Sequence, residues 1–424
     1  FQEGNSMRVL VLGSGAKDHA IAWWFSQSRL ISALYVAPGN AGTESIAKNI
    51  EIDPSDPEAV YRVCQTHTIN YVFVGTEAPL FTGVIDYLNE RGIDTFGAPK
   101  RALPLEGDRD FARKFTERHR IPAPRYVLFR NTDDLSAYLK EHEGERFVVK
   151  SNQIAPSRVM VDSTDYTTLM EFSATLLESG PIILEQHLAG LPLTITLFVD
   201  TNSYMLLPIC SDYMRVESGG TPTGGMGSIC PVPLQDSVKE ALISRIIEPT
   251  LNGLREEHMA YKGVLTISII LTKEGPMLVD YHVRFNDPAA QAFIPLICTD
   301  LIEILTAMKK DTLGSLKLCC SSNSAVALVV ASEGYPQKPV TGKILNPIPA
   351  ALLLNAFEGA PRYFFGGVQK RGNDLVTTGG RNVTVVGIDY NIMSANKRAY
   401  QGVVHVQFEN AWYRQDIGNK FFEN

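Results

Sequence analysis

Three polar, glycine-bearing turns follow successive strand-like segments near the start of this chain, and together they have the makings of a phosphate site. Gly13-Ser14-Gly15-Ala16-Lys17-Asp18-His19 comes after the apolar run Met7 to Leu12 and opens a helical pattern. Its backbone amides and the helix N-terminus suit an anion. Pro38-Gly39-Asn40-Ala41-Gly42-Thr43 and Gly75-Thr76-Glu77-Ala78-Pro79-Leu80 follow the next two strands. Each alone reads as a turn, but the carboxyl edge that such strands share is where open α/β sheets take ligands. A nicotinamide dinucleotide fits poorly, since the first turn lacks a third glycine and no clear ribose-binding acid closes the next strand. Farther along, Thr223-Gly224-Gly225-Met226-Gly227 reads as a flexible turn. Arg284-Phe285-Asn286-Asp287-Pro288 sets a cation and a carboxylate directly after the strand-like PMLVDYHV, again suited to an anion.

The elements that must position these residues fall into four groups. Strands alternating with helices up to about Gly97 predict a doubly wound parallel sheet. A charged amphipathic helix over Asp108 to His119 and the proline-punctuated IPAPRY come next. RFVVKS, RVMVDS and PIILEQ, with a helix from Thr164 to Leu177, predict a small α+β lid. Longer strands, a glycine-rich loop over Gly219 to Gly227, a helix over Ser237 to Glu257 and two further strands predict a second α+β lobe. A strand-rich tail from Ser324 closes the chain. The expected architecture is therefore α/β and α+β with several domains. Residues 1–6 read as the remnant of a cleaved tag, 7–107 as an N-terminal substrate unit, 108–123 with 190–323 as a central unit, 124–189 as its lid and 324–424 as a C-terminal unit.

A net charge of −7 leaves no basic footprint for nucleic acid. No apolar segment approaches the roughly 20 residues of a membrane span, and the N-terminus enters a strand where a signal peptide would stand, so a cytoplasmic location is expected. The six cysteines show neither zinc spacing nor the density of a disulfide scaffold and read as reduced core thiols.

GSGAKDHA, APGNAGT, VGTEAPL, TGVIDYL, LEGDRDFARKF, RHRIPAPRY, TGGMG, RFNDP, EGYP, TTGGR and RQDIG occur in an order that resembles phosphoribosylamine–glycine ligase, also called glycinamide ribonucleotide synthetase. The resemblance runs from Met7 to about Phe421. It implies an N-terminal substrate domain, ATP-grasp lobes that sandwich a nucleotide, and a C-terminal domain. It also implies small-molecule substrates, phosphoribosylamine and glycine, joined through an acyl phosphate with ATP and Mg2+; nothing in the chain sets an oligomeric state. By the same resemblance Gly13, Gly15, His19, Gly39, Asn40, Gly42, Glu77, Pro79, Gly224 and Gly225 would meet substrate. Lys150, Arg158, Glu185 and Arg109 would meet the nucleotide, Asp280 with His282 or Asp287 the metal, and Arg284 and Asp212 would take part in catalysis, Arg284 at the acyl phosphate.

The nucleotide face departs from the family pattern. VVKSNQIAPSRVM, from Val148 to Met160, replaces a lid strand reading roughly VIKADGLAAGKGV, keeping Lys150 but no glycine, and Arg158 takes the place of a second lysine. Loss of one well-aimed donor costs about 3 kcal/mol. The hinge EEFLDGEEAS becomes Glu185 to Thr194 without its later carboxylates, Asp-His-Lys-Arg becomes Asp212-Tyr213-Met214-Arg215, and the metal-binding Glu-Phe-Asn becomes Asp280-Tyr281-His282. Magnesium prefers hard oxygen ligands in a tight octahedron. The substrate turns, in contrast, stay close to the pattern. The leading expectation is a glycinamide ribonucleotide-forming ligase. Two others stand beside it: a pseudoenzyme that keeps phosphoribosyl binding, and a paralogue that joins a different acid and amine.

Overall fold

The computed structural model describes residues 7–153, 160–355 and 357–422. Val9, Leu10, Val11 and Leu12 are all fully buried, the unbroken apolar run of a strand covered on both faces. They lie in β1 (Met7–Gly13), the centre of a parallel sheet with β2 (Ile31–Pro38), β3 (Lys48–Asn49), β4 (Tyr71–Val74) and β5 (Asp94–Phe96), in the order β3-β2-β1-β4-β5. The chain builds outward on one side of β1 and then crosses to the other, so a crevice opens at the carboxyl ends of β1 and β4. The turns at Gly13 and Gly75 meet there, each leading into a helix, α1 (Ala16–Ser26) and, after α2 (Pro57–His67), α3 (Glu77–Phe81). The helix expected to run through Tyr87 breaks at Gly83, which adopts φ +84°, and resumes as α4 (Val84–Asn89).

After α5 (Pro104–Gly107) and α6 (Arg109–Arg118) comes an antiparallel sheet of β6 (Tyr126–Phe129), β7 (Phe147–Ser151), β8 (Met160–Ser163) and β9 (Ile182–Gln186), in the order β6-β9-β7-β8. Phe147, Val149, Ile182 and Leu184 pack on one face against Leu135, Leu139 and Leu169 of α7 (Thr132–Glu141) and α8 (Tyr166–Leu177). The two-residue period sends Val148, Lys150 and Glu185 to the opposite face. A second antiparallel sheet joins β10 (Leu191–Val199), β11 (Tyr204–Leu206), β14 (Gly263–Thr272) and β15 (Gly275–His282).

The glycine-rich loop expected over Gly219 to Gly227 is mostly strand: β13 spans Pro222–Cys230 and pairs with β12 (Ser211–Arg215). Its glycines admit close neighbours. A Cβ on Gly225 would lie 2.4 Å from the carbonyl oxygen of Asp287, and one on Gly227 2.5 Å from Ile417. The helix expected over Ser237 to Glu257 is Asp236–Leu242 and Glu248–Glu256 with a π turn between them, where Pro249 has no N–H to continue the ladder. The tail carries β16 (Ser324–Ala331), β17 (Ile344–Leu345), β18 (Arg362–Phe365), β19 (Val368–Arg371), β20 (Asp374–Thr377) and β21 (Arg381–Asp389), and also a helix, Ile392–Val403. It shares a sheet with the preceding residues, since β12-β13-β16-β21-β18 runs across residue 324. Of the cysteines, Cys64, Cys210 and Cys230 are buried as expected, whereas Cys298, Cys319 and Cys320 are exposed. No helix among the described residues is long and apolar enough to cross a membrane.

Candidate functional site

A cavity of about 420 Å³ occupies the crevice beyond β1 and β4, lined by Gly13, Gly15, Glu77, Pro79, Gly224 and Arg284 together with Lys17, Asp18, Asp287 and Arg381. Arg284, only 3 % exposed, is the hub. Its Nη2 lies 2.8 Å from Glu77 Oε1 and 3.1 Å from Glu106 Oε2, and its Nη1 donates to Asn286 Oδ1 at 3.1 Å. Burial raises the cost of ionising both carboxyls, but Arg284 outweighs it, holding Glu77 below the usual range and Glu106 down to about 2. Arg381 Nη1 donates to Asp287 Oδ1 at 3.0 Å and to the Gly224 carbonyl at 2.8 Å. Lys17 Nζ donates to the Phe285 carbonyl at 3.1 Å, and burial plus the nearby Arg284 lower its pKa. Asp18 accepts the Gly15 N–H at 2.9 Å, and burial pushes its carboxyl up to about 6. Three cations and three carboxylates around one cavity can receive a ligand with both an anionic group and an amine or hydroxyls.

Four of the residues read as substrate contacts tie the turns together. Asn40 is fully buried; its Nδ2 donates to the Ser14 carbonyl at 2.9 Å and the Phe365 carbonyl at 2.6 Å, and its Oδ1 accepts from Gly42 N at 2.8 Å. The His19 ring stacks on Phe365, and a Cβ on Gly42 would lie 2.4 Å from it. Gly39 adopts φ +75° and donates to the Gly13 carbonyl. They shape the crevice wall from behind, and none of the four lines the cavity.

A second cavity of about 290 Å³ lies between lid and central sheet, and Met214 and Asn286 line both spaces. Here the structure brings together Lys150, Arg109, Asp280, His282 and Asp212. Lys150 Nζ lies 3.3 Å from Glu185 Oε2 and 3.5 Å from Asp280 Oδ2, Arg109 Nη1 lies 3.3 Å from Asp280 Oδ1, and Arg113 Nη2 lies 2.8 Å from Glu185 Oε1. Buried Glu185 and half-buried Asp280 are kept ionised by these cations, Arg113 and Lys150 for the first and Arg109 and Lys150 for the second. Asp212 accepts the Thr194 hydroxyl at 2.9 Å, and burial lifts its carboxyl to about 6. Arg158 lies outside the described residues.

Leu193, Ile269, Ile270 and Val279 give this cavity an apolar lining beside its cations, a combination that fits a nucleotide base and its phosphates. A divalent cation fits poorly. Both oxygens of Asp280 face cations, and among the described residues no three His, Cys, Asp or Glu side chains converge as metal ligands would. Glu106, Arg113 and Arg381 escaped the sequence reading of the site. Glu106 and Arg113 stand in LEGDRDFARKF and Arg381 in TTGGR, motifs whose order was noted without a role for these three residues.

Family models for phosphoribosylglycinamide synthetase match in order: the N domain over residues 7–106, the ATP-grasp (A) domain over 107–290 and the C domain over 325–420. Phosphoribosylamine–glycine ligase from Rhodopirellula baltica is 34 % identical over 433 aligned residues, 97 % of each chain, and that from Rhizobium meliloti is 34 % identical over 421, covering 97 % of this chain and 98 % of the relative. The crystal structure of phosphoribosylamine–glycine ligase from Thermotoga maritima superimposes with a TM-score of 0.82 at 27 % identity, covering 97 % of this chain and all of the other. A biotin carboxylase from Campylobacter jejuni, at 11 % identity and a TM-score of 0.72, shares the fold. With three domain models in order and a third of residues shared end to end, the chain belongs to the phosphoribosylglycinamide synthetase family of ATP-grasp ligases.

Proposed function

We propose that this protein joins glycine to phosphoribosylamine, forming glycinamide ribonucleotide through an acyl phosphate. The observation that carries this reading is the adjoining of two cavities at Asn286, with Arg284 anchored beside it and between Glu77 and Glu106. Lys17 and Arg381 offer charge for the ribose phosphate, while Glu77 and Asp18 offer acceptors for the amine and hydroxyls. Arg284 stands at the junction, where charge builds up on an acyl phosphate and its tetrahedral adduct, and a fixed buried cation lowers the cost of that charge. ATP, when bound, supplies the phosphoryl group that activates the carboxylate.

The test is incorporation of labelled glycine into glycinamide ribonucleotide, beside calorimetric titration with that product. Measurable product and binding are expected. Substituting Arg284→Lys, which keeps charge but loses the second nitrogen that holds Asn286 and the Phe285 carbonyl, should cut turnover on the order of a hundredfold. Neither product nor binding by the unmodified protein would overturn the reading.

A further inference from the structure

The carboxylate of Asp280 is already neutralised from both sides. Arg109 reaches one oxygen from the N-terminal end of α6, and Lys150 reaches the other from the lid strand β7. Two residues on, the imidazole of His282 places Nε2 3.2 Å from Ser268 Oγ and Nδ1 3.6 Å from Glu106 Oε2, so both ring nitrogens face protein groups. A magnesium ion at this position would need a set of oxygen ligands at close range, and it would enter a pocket where two fixed positive charges already occupy the acid. Like charges at such distances in a partly dehydrated cavity repel strongly. Both cations also line the open cavity beside the apolar wall, where the phosphates of a nucleotide would lie.

We infer that this cavity takes nucleotide phosphates without a divalent cation, with Arg109 and Lys150 supplying the charge a metal would bring and Asp280 acting as the internal anion that phosphate displaces. The inference rests on the nucleotide half of the proposed function and leaves the substrate cavity untouched. It assigns Asp280 a role opposite to that of a metal ligand: the carboxylate competes with the ligand for the same two cations.

The experiment is calorimetric titration with ADP in EDTA and again in excess Mg2+, using the full chain. Equal affinity in the two buffers is expected. Asp280→Asn should tighten ADP binding several-fold in both, because it frees Arg109 and Lys150, and Arg109→Gln should weaken it by about tenfold or more, as loss of a charged hydrogen bond does. Mg2+ that tightens binding by about tenfold, an Asp280→Asn variant that binds ADP more weakly in Mg2+, or absence of ADP binding in EDTA would each overturn the inference. Titration of the same preparations with glycinamide ribonucleotide keeps the two proposals apart. Product bound normally alongside metal-dependent ADP binding removes only the metal-free site, and ADP bound in EDTA with glycinamide ribonucleotide neither formed nor bound removes only the ligase reading.

Discussion

The Nδ1 atom of His19 accepts the backbone N–H of Phe365 at 2.8 Å, across 346 positions of sequence. Burial drives the imidazole pKa down to about 3, so the ring stays neutral and Nδ1 stays an acceptor. The unfolded chain takes up a proton near pH 6.5 while the folded chain refuses it until about pH 3, so in that window the unfolded state binds more protons and stability falls as pH drops. Urea unfolding at about pH 7.5 and about pH 5 should show the wild type losing more stability on acidification than His19→Gln. Equal losses would put the proton uptake elsewhere. Replacing the ring outright with alanine strands a buried amide and opens a cavity, at an expected cost on the order of 3 kcal/mol.

Gly15 lines the first cavity and Gly225 follows Gly224, which lines it too, but the two glycines differ in what they tolerate. A Cβ on Gly15 meets only Asp18 Oδ2, at 3.4 Å, whereas Gly225 adopts φ +122° with the Asp287 carbonyl in the way. Gly15→Val should therefore cost no more than about 1 kcal/mol of stability and still block glycinamide ribonucleotide. Gly225→Ala should lose about 1–3 kcal/mol through backbone strain alone. Calorimetric titration and thermal melts of both variants separate the effects; unimpaired product binding by Gly15→Val would remove that glycine from the ligand's path.

Asp212 presents the opposite pH dependence. Its buried carboxyl keeps a proton to about pH 6 in the fold but releases it near 3.9 when unfolded. The folded state then binds more protons across that window, and stability declines as pH rises through it. Asp212→Asn removes the penalty and keeps an acceptor for Thr194. The variant should be more stable than wild type near pH 7.5, by an amount on the order of 2 kcal/mol, and the gap should close by about pH 4. Denaturation curves showing a less stable variant at neutral pH would sink this account.

Asn152 fastens the lid to the N-terminal end of α6 through three hydrogen bonds. Asn152 Oδ1 accepts from Asp110 N at 2.8 Å, its Nδ2 donates to Asp108 Oδ1 at 3.0 Å, and its carbonyl accepts from Arg109 N at 3.0 Å. Asn152→Ala cuts the two side-chain ties, and amide exchange in β7 and β8 should quicken while the parallel sheet stays protected. Unchanged exchange would show that Lys150 and its ion pairs suffice to hold the lid down.

How much of this was legible depended on whether the signal was local. The run Met7 to Leu12 and its glycine turn announce a buried parallel strand with a ligand edge, because period and punctuation are both contained in a dozen residues. Gly219 to Gly227 misled for the same reason: glycine marks a loop by propensity, yet in β13 it admits Ile417 and the Asp287 carbonyl, neighbours that no local window contains. Asn40 and Gly42 belong to a motif that flanks a ligand site, but the Asn40 amide serves the main chain of Ser14, Gly15 and Phe365, and Gly42 N donates to Asn40. The pairing of Asp280 with cations was half visible, as an altered motif. The other half needed Arg109 and Lys150, which arrive from 171 positions away and from the lid.

The sheet that runs β12-β13-β16-β21-β18 bears on how the protein is made. The edge of β13 from Gly227 to Cys230 finds its partner only in Ala325 to Leu328, and Asp287 meets its guanidinium only in Arg381. A ribosome therefore releases all residues up to 324 before either contact exists, and for that interval a β-edge stands open to any other nascent strand. A chain cut before residue 324 would keep that edge open permanently. The residues after 324 thus act as an internal seal, and the cavity beyond β1 and β4 acquires its full set of charges only once Arg381 has been made.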